Sequence, residues 1–194
     1  MSRRIRGRGR GFVFAPSHFQ DLGSRDAVAS ALKRYKQSGT IRQLARGLYD
    51  YPVRHPVLGV VAPSADAIAR ALVARDAIRL QPAGAYAANL LGLSDQVPAK
   101  IVFLTDGPAR KVRVGHQEIL LQRTTPRNMA TAGRKSGMLI QALRHLGPVR
   151  VDDLVIATLR RNITAADRPV IQKDMTYAPV WIANILRQLL NPAH

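Results

Sequence analysis

Basic side chains, rather than acid–base pairs or metal ligands, supply the chemistry in this sequence. Arg3, Arg4, Arg6, Arg8 and Arg10 are interleaved with Gly7, Gly9 and Gly11. Ser24, Arg25, Ser30, Lys33, Arg34 and Gln37 follow, then Arg42, Gln43 and Arg46. Guanidinium forks grip phosphate oxygens and guanine edges, and small hydroxyl side chains permit close approach to a groove. In all, 30 Lys+Arg oppose 12 Asp+Glu, a formal charge of +18 and a pI near 11.6. Residues 1–56 hold 12 of those cations and 3 of the acids, so charge density there is more than twice that of the rest. A field of this sign suits nucleic acid first, with a membrane surface or an acidic protein as other takers. The arginine-rich codons of a GC-rich genome would produce part of the same excess.

The constellations of catalysis are missing from the sequence. His18, His55, His116, His145 and His194 share no metal-ligand spacing, and there is no cysteine, which excludes thiolate metal sites, disulfides and thiol nucleophiles. Neither HExxH nor GxSxG occurs, and Gly107-Pro-Ala-Arg-Lys lacks the paired glycines and Gly-Lys-Ser/Thr ending of a phosphate-binding loop. Asp152 and Asp153 are adjacent, and helical neighbours face apart. The expectation is a non-enzyme with no catalytic residue, no metal and no cofactor. The run from Arg123 to Met129, RTTPRNM, admits two readings. It is either a loop that holds phosphate or carboxylates, or a set of turn and cap residues serving local backbone. Hydrophobic residues make up 46% and charged residues 22%, the balance of a folded soluble chain, without a run of ~20 apolar residues to cross a bilayer. No apolar segment follows the first arginines, so a secretory signal is not expected, and the cytoplasm is the expected location.

The basic residues need elements to position them. Residues 1–11 are too Gly-rich for a firm helix prediction; they read as a basic flexible arm on phosphates or in a minor groove, or as a solvated tail. Phe12–Phe14 reads as a strand that pairs with a later hairpin. Pro16 opens a short helix through Phe19 and Leu22 that Gly23 stops. Ser24 is an N-cap with Asp26 in the first turn, and Val28, Ala31, Leu32 and Tyr35 form one apolar stripe at i, i+3, i+4 and i+7. The basic residues occupy the opposite face. Thr40–Ala45 and Leu48–Tyr51 read as strands around Arg46-Gly47, leaving Arg42, Gln43 and Arg46 outward for phosphate. A short helix, a turn, a longer basic helix and a hairpin, in that order, describe a winged helix-turn-helix. The bland alternative is the same hairpin packed on a helical pair with no ligand.

Beyond Pro52 the pattern changes. Pro52–Pro63 reads as a connector with an extended piece at Val57–Val61, and Ala65–Ala77 as an amphipathic helix. Ile78–Gln81 is a short strand, and Pro82 begins a helix ending at Gly92. Ile101–Leu104 is a buried strand, and Lys111–Val114 with Gln117–Arg123 a hairpin. Ser136–Leu146, Val151–Arg161 and Asp167–Leu190 are helical, the last broken at Pro179. The expected fold class is α+β: an N-terminal winged helix-turn-helix at 1–56, then a mixed α/β domain at 57–194 with a small, mostly antiparallel sheet and C-terminal helices.

Three blocks carry a family resemblance. They are FAPSHFQDLGSRDAVASALKRYKQSGTIRQLARGLYDYP from Phe14 to Pro52, RLQPAGAYAANLLGLSDQVPAKIVFLTDGPARKVRVG from Arg79 to Gly115, and RTTPRNM. Together they resemble the AbiEi-type antitoxins of type IV toxin-antitoxin systems. The chain departs from that pattern at Ala15, where a capping Ser or Thr is expected. The resemblance implies a transcriptional regulator whose winged helix-turn-helix represses an antitoxin-toxin operon at inverted repeats in double-stranded DNA, with possible self-association on that DNA. It also implies a C-terminal domain that opposes a nucleotidyltransferase-like toxin. The residues alone leave a rival open, an RNA-binding or protein-binding adaptor without operator-specific DNA binding, because a basic patch accepts any polyanion.

Overall fold

A computed structural model describes residues 1–73 and 78–191 of the chain. The chain is mixed α/β, with small antiparallel sheets and C-terminal helices, and divides into two compact units. One comprises Met1–Ile78 and Val112–Ile119, the other Arg79–Lys111 and Leu120–His194.

The first unit starts with helix α1, Ser2–Gly7, which buries Ile5. Strand β1, Val13–Phe14, leads to a 3-10 turn at Pro16–Leu22 with Pro16 at its first position. Ala15 has no side-chain cap to offer, and the turn is instead tied by His18, whose Nδ1 accepts the Ala15 N–H at 3.0 Å. Helix α2, Arg25–Gln37, is capped by Ser24, whose Oγ accepts the Ala27 N–H at 3.2 Å. Val28 and Leu32 are its buried residues, as the apolar stripe requires. Strands β2, Arg42–Ala45, and β3, Leu48–Asp50, join β1 in an antiparallel sheet of order β1-β3-β2. Phe14 pairs with Tyr49 and Arg42 with Asp50, with a register slip between Gln43 and Ala45. Ile5, Phe14, Phe19, Val28, Leu32 and Ile41 form one core cluster, and each such burial contributes roughly 1.5–3 kcal/mol. The Phe14 ring lies 5.3 Å edge-on from Phe19 and 6.0 Å stacked from Tyr49. The connector predicted after Pro52 is instead a second hairpin of β4, Arg54–His55, and β5, Gly59–Val60. Helix α3, Ala65–Leu72, is capped by Ser64 through Ala67 N–H; its predicted continuation to Ala77 lies outside the described residues.

In the second unit, β6, Leu80–Ala83, is followed by helix α4, Gly84–Leu90, and by β7, Lys100–Thr105. Strands β8, Arg110–Val114, and β9, Gln117–Arg123, whose hairpin residues Val112–Ile119 belong to the first unit, complete a sheet of order β6-β7-β9-β8. Pro82, predicted as a helix start, lies inside β6 opposite Phe103. An edge strand tolerates a residue without an N–H, and β6 is an edge. In β7 Ile101, Phe103 and Thr105 alternate inward. Helices α5, Pro126–Met129, α6, Lys135–Leu146, and α7, Asp153–Arg161, follow. Then come α8, Asp167–Asp174, and α9, Val180–Leu190, which Pro179 separates as expected. Leu91, Leu139, Leu143, Leu159, Ile182 and Leu186 are buried in their shared core. Among the described residues no helix is long and apolar enough to cross a membrane.

Candidate nucleic-acid interface

Helix α2 presents the densest group of predicted contact residues. Ser24, Arg25, Ser30, Lys33, Arg34 and Gln37 are all exposed. At about 100° per residue, Ser30, Gln37, Arg34 and Lys33 point away from the Val28–Leu32 face, whereas Arg25, one turn before Val28, lies on the side of that face and is exposed at the first position of the helix. Asp26 shares the outward face near the helix start, where the macrodipole holds it favourably. Sequence reasoning missed Lys36, three residues beyond Lys33: it is exposed, and its Nζ donates to Gln43 Oε1 at 2.9 Å. Gln43 is therefore tied to α2 rather than standing alone on the hairpin.

The β2–β3 turn carries Arg46 in the open, next to Gly47 at a φ of +71°. Arg42, expected outward, is half-buried and turned onto Asp50. Its Nε and Nη2 donate to the two oxygens of Asp50 at 3.1 and 2.6 Å, and Nη2 also donates to the Val61 carbonyl at 3.1 Å. These bonds engage Nε and Nη2 of the fork, and the side chain is only partly exposed. Arg54, placed by sequence in a connector, instead lines a cleft of about 640 Å³ with Lys36, Arg42, Gln43 and Arg46. No alternation in residues 53–61 signals Arg54; its place follows from the β4–β5 pairing.

The amino-terminal arginines are not a flexible arm. Residues 2–7 are helical because Ile5 is buried and because Arg4 is fixed from below. Arg4 Nη1 and Nη2 donate to Asp21 at 2.8 and 2.6 Å, and Nη1 also reaches the His18 carbonyl at 2.8 Å. That fork holds the Asp21 carboxyl down at about 2, from 3.8, and in turn raises the Arg4 guanidinium. Arg3, Arg6 and Arg8 remain exposed, with the Arg8 guanidinium 5.9 Å from the Phe12 ring centre. Arg10 packs 4.9 Å over Tyr51 and donates to the Pro52 carbonyl at 3.0 Å.

The RTTPRNM run resolves into local structure. Thr125 caps α5 through Asn128 N–H, the Asn128 amide donates to Thr124 Oγ1 at 2.9 Å, and Arg144 donates to Asn128 Oδ1 at 2.9 Å. Asp152 likewise caps α7, accepting the Val155 N–H at 2.9 Å. Ser136 donates to Asp174, and both are fully buried, which gives a substrate no access to the hydroxyl.

No curated protein matches the chain. A solved structure similar to it is that of the Rv2827c protein from Mycobacterium tuberculosis, at 16% identity and a TM-score of 0.49, covering 97% of this chain and 75% of that one. The model of a family of unknown function, DUF6088, matches residues 1–168, and the chain belongs to that family.

Proposed function

We propose that the first unit is a winged helix-turn-helix that binds double-stranded DNA sequence-specifically and represses transcription, in the manner of an AbiEi-type antitoxin acting on its own operon. The observation that carries this reading is the outward face of α2. It offers Lys33 and Arg34 beside Ser30 and Gln37, with Arg25 and Asp26 exposed in the first turn, and Arg46 stands exposed on the adjoining hairpin turn. In this reading α2 enters the major groove, where Arg25, Lys33, Arg34 and Gln37 meet base edges, and the turn bearing Arg46 holds the phosphate backbone. Arg3, Arg6 and Arg8 add phosphate contacts. Operator half-sites arranged as inverted repeats would seat two copies. The second unit is assigned the opposing of a nucleotidyltransferase-like toxin, on the family resemblance alone.

The test is fluorescence anisotropy at physiological salt with three labelled ligands: the DNA upstream of the coding sequence, an unrelated duplex, and an RNA of equal length. Specific binding predicts a preference of at least ~10³ for the upstream duplex over the unrelated one. Equal affinity for all three, or preference for the RNA, selects the adaptor reading instead.

A further inference from the structure

The segment 53–61, VRHPVLGVV, holds the most exposed apolar residues of the first unit. Val57 is 85% and Leu58 75% exposed, at the tip between β4 and β5. Solvated turns are ordinarily built from Gly, Asn, Asp and Ser; here two aliphatic side chains and Pro56 occupy the tip.

The tip is a built projection. His55 Nδ1 accepts the backbone N–H groups of both Val57 and Leu58 at 3.2 Å. Gly59 takes a φ of +70°, the left-handed conformation that reverses the chain. At the base, Val61 N–H donates to the Val53 carbonyl at 3.0 Å, and Arg42 Nη2 donates to the Val61 carbonyl while holding Asp50. The ribbon is thereby fastened to the three-stranded sheet.

Charge says what the tip meets. The segment contains Arg54 and no acid. The cleft behind it is lined by Lys36, Arg42, Arg46 and Arg54 and by no carboxylate. Arg42 is neutralised by Asp50, which leaves Lys36, Arg46 and Arg54 as the net charge of that cleft. An apolar tip beside such a positive surface matches a polyanion with an apolar interior, which is stacked duplex DNA. Minor-groove proteins combine these two features, inserting Leu or Pro between base steps while basic residues hold the flanking phosphates.

We propose that the β4–β5 hairpin is a second DNA-contacting ribbon whose Pro56–Leu58 tip enters the minor groove and wedges a base step open, with Arg54 and Arg46 on the adjacent phosphates. This rests on the duplex-binding reading. The wedge bends the duplex toward the major groove, and so brings the DNA flanking the α2 contact onto more of the basic surface.

The experiment uses the full-length protein and the upstream duplex with donor and acceptor dyes at its ends. Wild-type protein raises energy transfer, the signature of a bend. The Val57→Ser/Leu58→Ser double variant, whose altered side chains are solvent-exposed, keeps its far-ultraviolet circular dichroism. It loses the bend, binds ~10-fold more weakly and keeps the wild-type salt slope, because it has lost no charge. Arg54→Ala lowers that slope by about one. A double variant that bends and binds as wild type does overturns the wedge while leaving duplex binding intact. The wedge is equally overturned if the double variant loses self-association in sedimentation velocity but bends DNA normally, since the tip is then a protein contact. Wild-type protein that binds neither duplex overturns the duplex-binding reading and the wedge with it.

Discussion

Asp50 is sealed by Arg42: the two residues face each other across β2 and β3, and the guanidinium spans both carboxylate oxygens at 3.1 and 2.6 Å while Asp50 is 1% exposed. A carboxylate in the central strand of a small sheet is tolerable only when its lone pairs are filled, and removing one partner of such a pair leaves an uncompensated buried charge. Arg42→Ala is therefore expected to lower unfolding free energy by about 2–3 kcal/mol, below the loss for a fully buried pair because Arg42 is partly solvated. Urea unfolding checks it, through a fall in midpoint at constant slope. An unchanged midpoint would show that the fork contributes nothing to the fold.

Arg46 should behave in the opposite way. It is exposed on the β2–β3 turn and is not engaged as Arg42 is. Replacing it by Ala should leave the urea midpoint within about 0.5 kcal/mol of wild type. It should weaken binding to every duplex and reduce the salt slope by about one. Arg25→Ala should instead cost about 1–3 kcal/mol on the upstream duplex and little on an unrelated one. Equal losses on both sequences would remove Arg25 from the base-reading set.

The features legible in the sequence were those decided within a few residues. Ser24 capping α2, Pro179 dividing α8 from α9, Gly47 at the hairpin turn and the apolar run of β7 all follow from local backbone chemistry. The features that were not legible depend on residues far apart in the chain. Helix α1 is fixed by Arg4 reaching Asp21, seventeen positions away. Pro82 fits a strand only because β6 is at a sheet edge. Arg42 reads as outward from strand alternation, yet its long side chain folds back onto Asp50. At the candidate interface the exposed face of α2 was readable from periodicity. The contribution of Arg54 was not, because it requires the β4–β5 pairing.

Gly137 tests the packing of the second unit. It lies in α6, and a Cβ built there would run into the Thr131 carbonyl and Gln81 Oε1. Gln81 and Thr131 are themselves buried, so neither can move aside into solvent. Gly137→Ala, a change that favours an isolated helix by roughly 1 kcal/mol, is expected here to destabilise by about 1–3 kcal/mol through overpacking. Thermal unfolding followed by Trp181 fluorescence reports on this unit directly. A melting temperature at or above wild type would mean that the backbone relaxes to admit the methyl group.

The Arg4–Asp21 fork gives α1 a pH dependence whose sign is fixed. Hydrogen bonding from Arg4 is the main cause that holds the Asp21 carboxyl at about 2, against 3.8 in the ordinary case. A folded-state value below the unfolded one means that the contribution is complete above the unfolded value. As the pH falls from about 4 toward 2, the unfolded chain takes up the proton first and the contribution drains away. The pair is solvent-exposed, so its effect is modest and screened by salt. Amide exchange at Ile5 and Arg8, whose N–H groups bond within the α1 turn, should be slower in wild type than in Asp21→Asn at neutral pH. That difference should persist down to about pH 4, shrink between about pH 4 and 2, and narrow at neutral pH in molar salt. A protection difference that survives unchanged at pH 2 would show that Asp21 does not act through its charge, and no difference at neutral pH would show that Ile5 burial holds α1 without the ion pair.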